Sequence, residues 1–159
     1  MQRKWIKILR IAICDDDSKF TGKIETLVFQ ESQKLSIRVK TEVFSDDKTL
    51  LKSIQNGAHY QLIFIDIEMK QVDEITAARH IREIDQTVLL IYVSGYDKYL
   101  KELFEVERFC FLSKPLNHIQ FARYFKESCK RINETEVFYQ FTFNKEIRKV
   151  SVRDIVYTE

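Results

Sequence analysis

The sequence contains little glycine, proline or cysteine. Three glycines and one proline among 159 residues leave few turn markers, so secondary structure has to be inferred from hydrophobic periodicity. The three cysteines are odd in number, lie far apart and form no C-x-x-C pair. This usage argues against a disulfide framework or a zinc site, and we expect reduced thiols in a cytoplasmic protein.

Neither charge nor apolar length favours nucleic acid or a membrane as a direct partner. The 26 basic and 24 acidic side chains give a net charge of +2, which is too balanced to indicate a polyanion. The apolar runs are short, such as residues 88–93, whereas a bilayer span needs about 20 residues. The acids at 15–17 interrupt any signal-peptide core. We therefore interpret the basic residues 1–7 as a leader that precedes the first strand.

Hydrophobic periodicity alternates between strand and helix five times. Buried-strand runs occur at 8–14, 62–66, 88–93 and 109–112, and residues 37–43 alternate like a strand with one more exposed face. Helical spacing follows from residue 18 and recurs at 49–55, 75–84, 97–105 and 119–132. Repeated strand–helix units predict an α/β fold with a doubly wound, five-stranded parallel sheet and helices on both faces.

The pattern changes near residues 133–136, which we interpret as a linker. Residues 137–143, 147–150 and 155–157 look like consecutive short strands without helices. So short a β segment cannot bury a core alone. We therefore expect one domain at 8–132 and a separate C-terminal β segment at 137–159, which either docks on that domain or begins a further one.

Polar side chains follow four of the five predicted strands. The carboxyl ends of parallel strands meet at one edge of a sheet, where ligands bind at the change in strand order. Each group alone is more typical of a helix cap or a turn, but together they favour a functional site. They are Asp15, Asp16 and Asp17 after the first strand, Asp66 and Glu68 after the third, Ser94 after the fourth, and Lys114 and Pro115 after the fifth.

The chemistry of this set predicts a magnesium site beside a nucleophile. Two carboxylates ~4 Å apart repel by ~4 kcal/mol at an effective dielectric constant of about 20, so a cation is expected among them. Mg²⁺ suits one or two carboxylates completed by phosphate oxygens. Asp66 follows the central strand and is the candidate phosphoryl acceptor. Lys114 would neutralise the transferred group, and Ser94 would hydrogen-bond one of its oxygens.

Four sequence blocks resemble those of response-regulator receiver domains. They are Ile11–Asp17 (IAICDDD), Phe64–Met69 (FIDIEM), Val93–Gly95 (VSG) and Phe111–Pro115 (FLSKP). The resemblance covers residues 8–132 and implies a flavodoxin-like sheet of order 2-1-3-4-5. It also implies a two-component response regulator in which Asp66 accepts phosphate from a sensor histidine kinase.

The resemblance assigns further roles at the same sheet edge. Asp16 would bind Mg²⁺ directly and Asp15 through a metal-bound water, with Asp66 and the Glu68 backbone carbonyl completing the protein ligands. Ser94 corresponds to the switch hydroxyl, Phe111 to the switch aromatic residue, and Lys114 to the phosphate-binding lysine. The peptide bond between Lys114 and Pro115 is expected to be cis.

One loop departs from the family pattern. Residues 70–74 read KQVDE, whereas such domains usually have Pro-Gly after the methionine and a glycine at position 74. Without those glycines the loop backbone must avoid positive φ or become strained. We expect this departure to affect the rate and lifetime of the phosphoryl state more than its existence.

The tail resembles the first strands of a LytTR-type DNA-binding domain, in Phe141–Lys145 (FTFNK) and Asp154–Glu159 (DIVYTE). The resemblance implies a transcription regulator that contacts DNA only through parts of the output domain beyond residue 159. It also allows a homodimer through the surface of the helix at 97–105, the strand at 109–112 and the helix at 119–132.

Two other functions compete with the receiver hypothesis. A Mg²⁺-dependent, haloacid-type phosphohydrolase would also form an aspartyl phosphate, but it uses Asp-x-Asp on the first strand and a cap insertion. The acids at 15–17 are instead adjacent. A receiver-like interaction module without phosphorylation is supported only by the altered loop at 70–74. We therefore expect a phosphoacceptor with slow autodephosphorylation, not a turnover enzyme.

Overall fold

The computed structural model describes residues 8–66, 74–95 and 110–144. Its parallel sheet has the order β2-β1-β3-β4-β5, which confirms the predicted α/β fold and strand order. The strands are β1 (Ile8–Cys14), β2 (Arg38–Phe44), β3 (Leu62–Asp66), β4 (Leu89–Ser94) and β5 (Cys110–Ser113); the helices are α1 (Ser18–Lys34), α2 (Asp47–Gln55), α3 (Glu74–Ile84) and a C-terminal helix (His118–Asn144).

Several sequence predictions lie outside the described residues. They are the leader at 1–7, the Glu68 carbonyl, most of the altered loop at 70–74, the helix at 97–105, and the strands at 147–150 and 155–157. Among the helices that the structure describes, none is long and apolar enough to span a bilayer.

Both faces of the sheet are buried, as continuous apolar strands predict. Along β1, Leu9, Ile11 and Ile13 pack into the layer beneath α1 and the C-terminal helix. The alternate residues Ala12 and Cys14 pack into the opposite layer, beneath α2 and α3. Each buried Leu or Ile contributes about 1.5–3 kcal/mol of transfer free energy, so the two layers hold the strand ends in fixed positions.

Local sequence sets where α1 and α2 begin. Asp17 caps α1 by accepting hydrogen bonds from the N–H groups of Lys19 and Phe20. Asp46 caps α2 through the Thr49 N–H, at 2.7 Å, as the acids before this helix predict. Gly57 follows α2 with a φ of 104°, a conformation that glycine adopts without steric cost.

The C-terminal helix corrects one prediction. It continues through residues 133–144, so the strand predicted at 137–143 is wrong, and residues 133–136, interpreted as a linker, are helical. No glycine or proline follows Pro115 in the sequence, and extending an existing helix costs less than nucleating a new element. The assignment of residues 137–159 to an output domain stays a prediction.

The helical spacing predicts a buried stripe of Ile119, Ala122, Phe125, Cys129 and Ile132, and the structure departs from it at Ile119. Phe121 and Phe125 are buried, whereas Ile119 is 81% exposed. Phe121 stacks on Phe64 of the central strand with ring centroids 5.5 Å apart, and on Phe125 at 6.1 Å. Two residues correspond to about 200° around a helix, so the packing of Phe121 turns Ile119 outward.

Candidate functional site

The predicted side chains meet at the carboxyl edge of the sheet. Asp66 ends β3 opposite Val93, and Ser94 ends β4 opposite Ser113. The backbone N–H of Asp15 donates to the Phe44 carbonyl at 3.0 Å, which ties the end of β1 to the end of β2. The sheet register therefore positions the residues that follow β1, β3, β4 and β5 around one site.

Three carboxylates form the centre of this site. One oxygen each of Asp15, Asp16 and Asp66 can be chosen so that all lie within 4.8 Å of one another. Asp15 and Asp66 are each 3% exposed, whereas Asp16 is exposed. The cluster is therefore buried on the side of the sheet and open on the side of Asp16.

The three consecutive aspartates have different structural roles. Asp17 serves as the cap of α1. Asp15 Oδ1 accepts a hydrogen bond from the Asp17 N–H at 2.9 Å, which fixes the orientation of its carboxylate. Asp16 lies between them with its side chain exposed. The helix-cap interpretation therefore fits Asp17, whereas Asp15 and Asp16 belong to the carboxylate cluster.

Lys114 bridges the two buried carboxylates. Its Nζ lies 3.2 Å from Asp15 Oδ2 and 3.3 Å from Asp66 Oδ2. The Lys114 backbone N–H donates to the Ser94 carbonyl at 2.9 Å, which anchors the β5 end to β4. Burial alone would lower the pKa of Lys114, but the carboxylates of Asp66 and Asp15 outweigh it and raise the pKa above its ordinary value of 10.5. The lysine is therefore a cation at neutral pH.

The oxygen set fits a small hard cation. Asp15 Oδ2 is buried and accepts no hydrogen bond from the residues described, although Lys114 provides an ion pair. A buried carboxylate oxygen with spare acceptor capacity, beside two further carboxylates, matches the ligands that Mg²⁺ takes in proteins. The cluster can therefore accommodate Mg²⁺ between its three carboxylates.

The remaining predicted residues lie on β4, on β5 and in the segments that follow β3 and β5. Ser94 is fully buried, and Phe111 is half-buried against the core layer under α2 and α3. The bond between Lys114 and Pro115 is cis, the geometry that the resemblance implies. Glu68 lies outside the described residues, so its carbonyl is not placed in the site.

Cys14 ends β1, directly before Asp15. Burial, followed by the nearby carboxylates of Asp47 and Asp46, raises the pKa of Cys14 far above its ordinary value. Burial also raises the pKa of Cys129 to about 12. Both cysteines are free and buried. Burial and the nearby carboxylates both disfavour the thiolate form of Cys14.

Sequence reasoning missed the role of Phe20. Its helical spacing indicated a core position on α1, and it does pack against the core. Its ring also faces the Lys114 ammonium, with Nζ 4.3 Å from the ring centroid. No pattern in the sequence predicts this contact, because it depends on how the loop after β5 approaches α1.

A groove of about 920 Å³ begins at Lys114 and runs between α1 and the start of the C-terminal helix. Phe20, Leu27 and Leu116 contribute apolar lining, and Lys19, Lys23 and His118 also line it. Among the residues that the structure describes, none of those lining the groove is Asp or Glu. This site-adjacent groove therefore combines apolar surface with positive charge.

Comparison with known sequences identifies one family. The chain matches the response regulator receiver domain over residues 11–125. It is 22% identical over 152 residues to the sensory transduction protein LytT of Bacillus subtilis, covering 96% of this chain and 53% of LytT. It is 22% identical over 107 residues to the transcriptional regulatory protein YpdB of Escherichia coli K12, covering 67% of this chain and 42% of YpdB. The chain therefore spans about half the length of these relatives.

Solved structures share the fold. The response regulatory domain of mrkE from Klebsiella pneumoniae has a TM-score of 0.68 at 20% identity, with 77% of this chain and 97% of that domain covered. A receiver domain of a sensor histidine kinase from Pseudomonas aeruginosa PAO1, with magnesium coordinated in its active-site cleft, has a TM-score of 0.63 at 16% identity. That match covers 76% of this chain and 97% of that domain.

Proposed function

The chain belongs to the response regulator receiver family, and on this basis we propose that it accepts a phosphoryl group from a sensor histidine kinase on Asp66. The observation that carries the proposal is the bridge from Lys114 to both Asp15 and Asp66, at 3.2 and 3.3 Å. It places a cation against the carboxylate at the end of the central strand. A carboxylate beside a fixed cation and further acidic ligands suits phosphoryl transfer.

In the proposed reaction, an Asp66 carboxylate oxygen attacks the phosphorus of phosphohistidine in line. The new phosphorus–oxygen bond forms while the phosphorus–nitrogen bond breaks, and the imidazole leaves with the electron pair and takes up a proton. Since Asp66 is 3% exposed and Asp16 is exposed, we propose that the donor approaches from the side of Asp16.

Asp15, Asp16 and Asp66 would hold Mg²⁺, which neutralises charge on the phosphoryl oxygens when it is bound. Lys114 then shifts its ammonium from the Asp66 carboxylate to the phosphoryl group attached there. The Ser94 hydroxyl, buried at the end of β4, supplies a hydrogen bond to another phosphoryl oxygen. These groups lower the free energy of the charge that develops during transfer.

The proposed output is a shift between two packings of the same sheet edge. Movement of Ser94 toward the phosphoryl group opens space into which the half-buried Phe111 turns. The phosphoryl group can bias this equilibrium only through the contacts that differ between the two states. We propose that the change reshapes the surface of β5, the C-terminal helix and residues 97–105.

We also propose that this surface controls a LytTR-type output domain and thereby transcription. The alignment with LytT covers 96% of this chain, which is more than the receiver part alone. It therefore supports residues 137–159 as the start of an output region. DNA would be contacted only by parts of that region beyond residue 159.

A homodimer through the same surface is a further element of the proposal. The exposed face of the C-terminal helix carries Arg123, Lys126 and Lys130, together with a Glu127–Arg131 ion pair of 3.4 Å. Charges of both signs on one face suit pairing with a second copy, and such exposed pairs direct specificity more than affinity.

The acceptor assignment is tested with Mg²⁺ and a small acyl phosphate as the donor. We expect one alkali-labile phosphoryl adduct by intact mass spectrometry, and none in Asp66→Asn. Asp17→Asn is a matched control, because asparagine also caps a helix. An adduct that persists in Asp66→Asn contradicts the proposal, and continuous phosphate release at enzyme-like rates favours the phosphohydrolase.

A further inference from the structure

We infer that Phe20 is a positioning residue that holds the Lys114 ammonium over the acidic cluster. The inference rests on the proposed function, because it concerns how Lys114 is presented to a phosphoryl group on Asp66. It starts from the contact of 4.3 Å between Lys114 Nζ and the centroid of the Phe20 ring.

The contacts of the ammonium account for its direction. An ammonium has three N–H groups. Lys114 Nζ donates to Asp66 Oδ2 at 3.3 Å and forms an ion pair with Asp15 Oδ2 at 3.2 Å. Nζ also lies over the ring of Phe20, whose electron-rich face attracts a cation within about 6 Å. The ring therefore occupies a direction from which water would otherwise hydrate the lysine.

This arrangement limits the freedom of a long side chain. Free lysine loses considerable rotamer entropy when it is fixed in one geometry. Phe20 is itself fixed, because it lies in the first turn of α1, just after the Asp17 cap, and packs against the core. A rigid ring on a capped helix thus holds a flexible ammonium where the proposed transfer requires it.

The test uses ring-free and ring-retaining variants. Phe20→Leu keeps apolar bulk without a ring, and Phe20→Met supplies a second ring-free variant should leucine disturb folding. Phe20→Tyr and Phe20→Trp retain an aromatic face. Phe29→Leu is the matched control, because Phe29 is a phenylalanine on the same helix, 43% exposed, and about 14 Å further along it by the helical rise.

Two readouts separate positioning from general packing. In the unphosphorylated protein, the ε-methylene protons of Lys114 should be shifted upfield by the Phe20 ring current and should return toward random-coil values in Phe20→Leu. With a small acyl phosphate and saturating Mg²⁺, adduct formation should slow about 3- to 10-fold in the ring-free variants, the size expected for one partly desolvated cation–π contact. Tyrosine and tryptophan should restore both signals.

The outcomes separate this inference from the function on which it rests. A wild-type rate in both ring-free variants, or failure of tyrosine and tryptophan to restore the lost rate, overturns the role of Phe20. In either case, the proposed function still holds if the wild-type chain and the Phe20 variants form the adduct and Asp66→Asn does not. Absence of any adduct in the wild-type chain refutes the proposed function, while the Lys114 resonances still report whether the ring holds the ammonium.

Discussion

Replacing Lys114 by methionine tests the electrostatic design of the site. Methionine keeps much of the unbranched stem but removes the charge that lies 3.2 and 3.3 Å from two buried carboxylates. At an effective dielectric constant of about 20, each of these ion pairs corresponds to ~5 kcal/mol of Coulomb attraction. Recovered hydration of the partly exposed lysine and relaxation of the carboxylates offset much of it, so we expect a net loss of about 1–3 kcal/mol in unfolding free energy.

Thermal and urea unfolding with and without Mg²⁺ measure this effect. For a chain of this length, a loss of about 1–3 kcal/mol lowers Tm by about 2–12 °C. Mg²⁺ should reverse the loss in the variant, because the ion takes over the charge compensation and no longer competes with the lysine. Binding at about 100 times its dissociation constant adds about 2.7 kcal/mol. The wild-type protein should gain less stability from the same concentration of Mg²⁺.

Lys126→Met provides the control, since Lys126 is an exposed lysine on the C-terminal helix. Such a surface substitution should change stability by no more than about 0.5 kcal/mol and should leave the Mg²⁺ response unchanged. If Lys114→Met and the wild-type protein gain equal stability from Mg²⁺, then lysine and metal do not compensate the same charges. That result would refute the electrostatic reasoning.

Two other predictions follow from the same residues. The pKa of Lys114 is raised in the folded state, so its stabilising effect is present at neutral pH and is lost as pH rises through and above 10.5. In urea unfolding across that range, the wild-type protein should lose unfolding free energy more steeply than Lys114→Met. Equal slopes for the two proteins would contradict this. We also expect Lys19→Glu and Lys23→Glu, which line the groove, to slow phosphorylation by a cognate kinase about tenfold or more through charge reversal while leaving acyl phosphate as an effective donor. Lys52→Glu, at an exposed position on α2, is the matched control. If the groove variants slowed phosphorylation by the kinase and by acyl phosphate equally, the substitutions would affect phosphoryl transfer and not the binding of the kinase.

Much of the fold could be predicted because local and global preferences agree in this sequence. The run of β1 is apolar except for Arg10, that of β3 is apolar up to Asp66, and both end at acids, so their predicted bounds match the observed Ile8–Cys14 and Leu62–Asp66. The carboxylate cluster could be predicted from the same ends, because parallel strands bring their carboxyl termini to one edge.

The errors arise where only tertiary packing carries the information. Residues 137–143 are rich in aromatic residues that favour strands, yet they continue a helix that no glycine or proline stops. Ile119 has the spacing of a buried stripe, but the stacking of Phe121 on Phe64 sets the rotation of the helix. The contact of Phe20 with Lys114 joins residues 94 positions apart along the chain, so no local pattern encodes it.

Because the three adjacent aspartates have different structural roles, the effect of a substitution in this segment depends on which of the three is replaced. At Asp17, asparagine would preserve the acceptor oxygen that α1 needs. At Asp15, the same substitution would turn an amide toward Lys114 or toward the Asp17 N–H, and each already requires an acceptor. Deleting one of the three would leave two adjacent acids. One of these two residues would then have to cap α1 and also bind the cation. Identical neighbours in this segment are therefore not interchangeable.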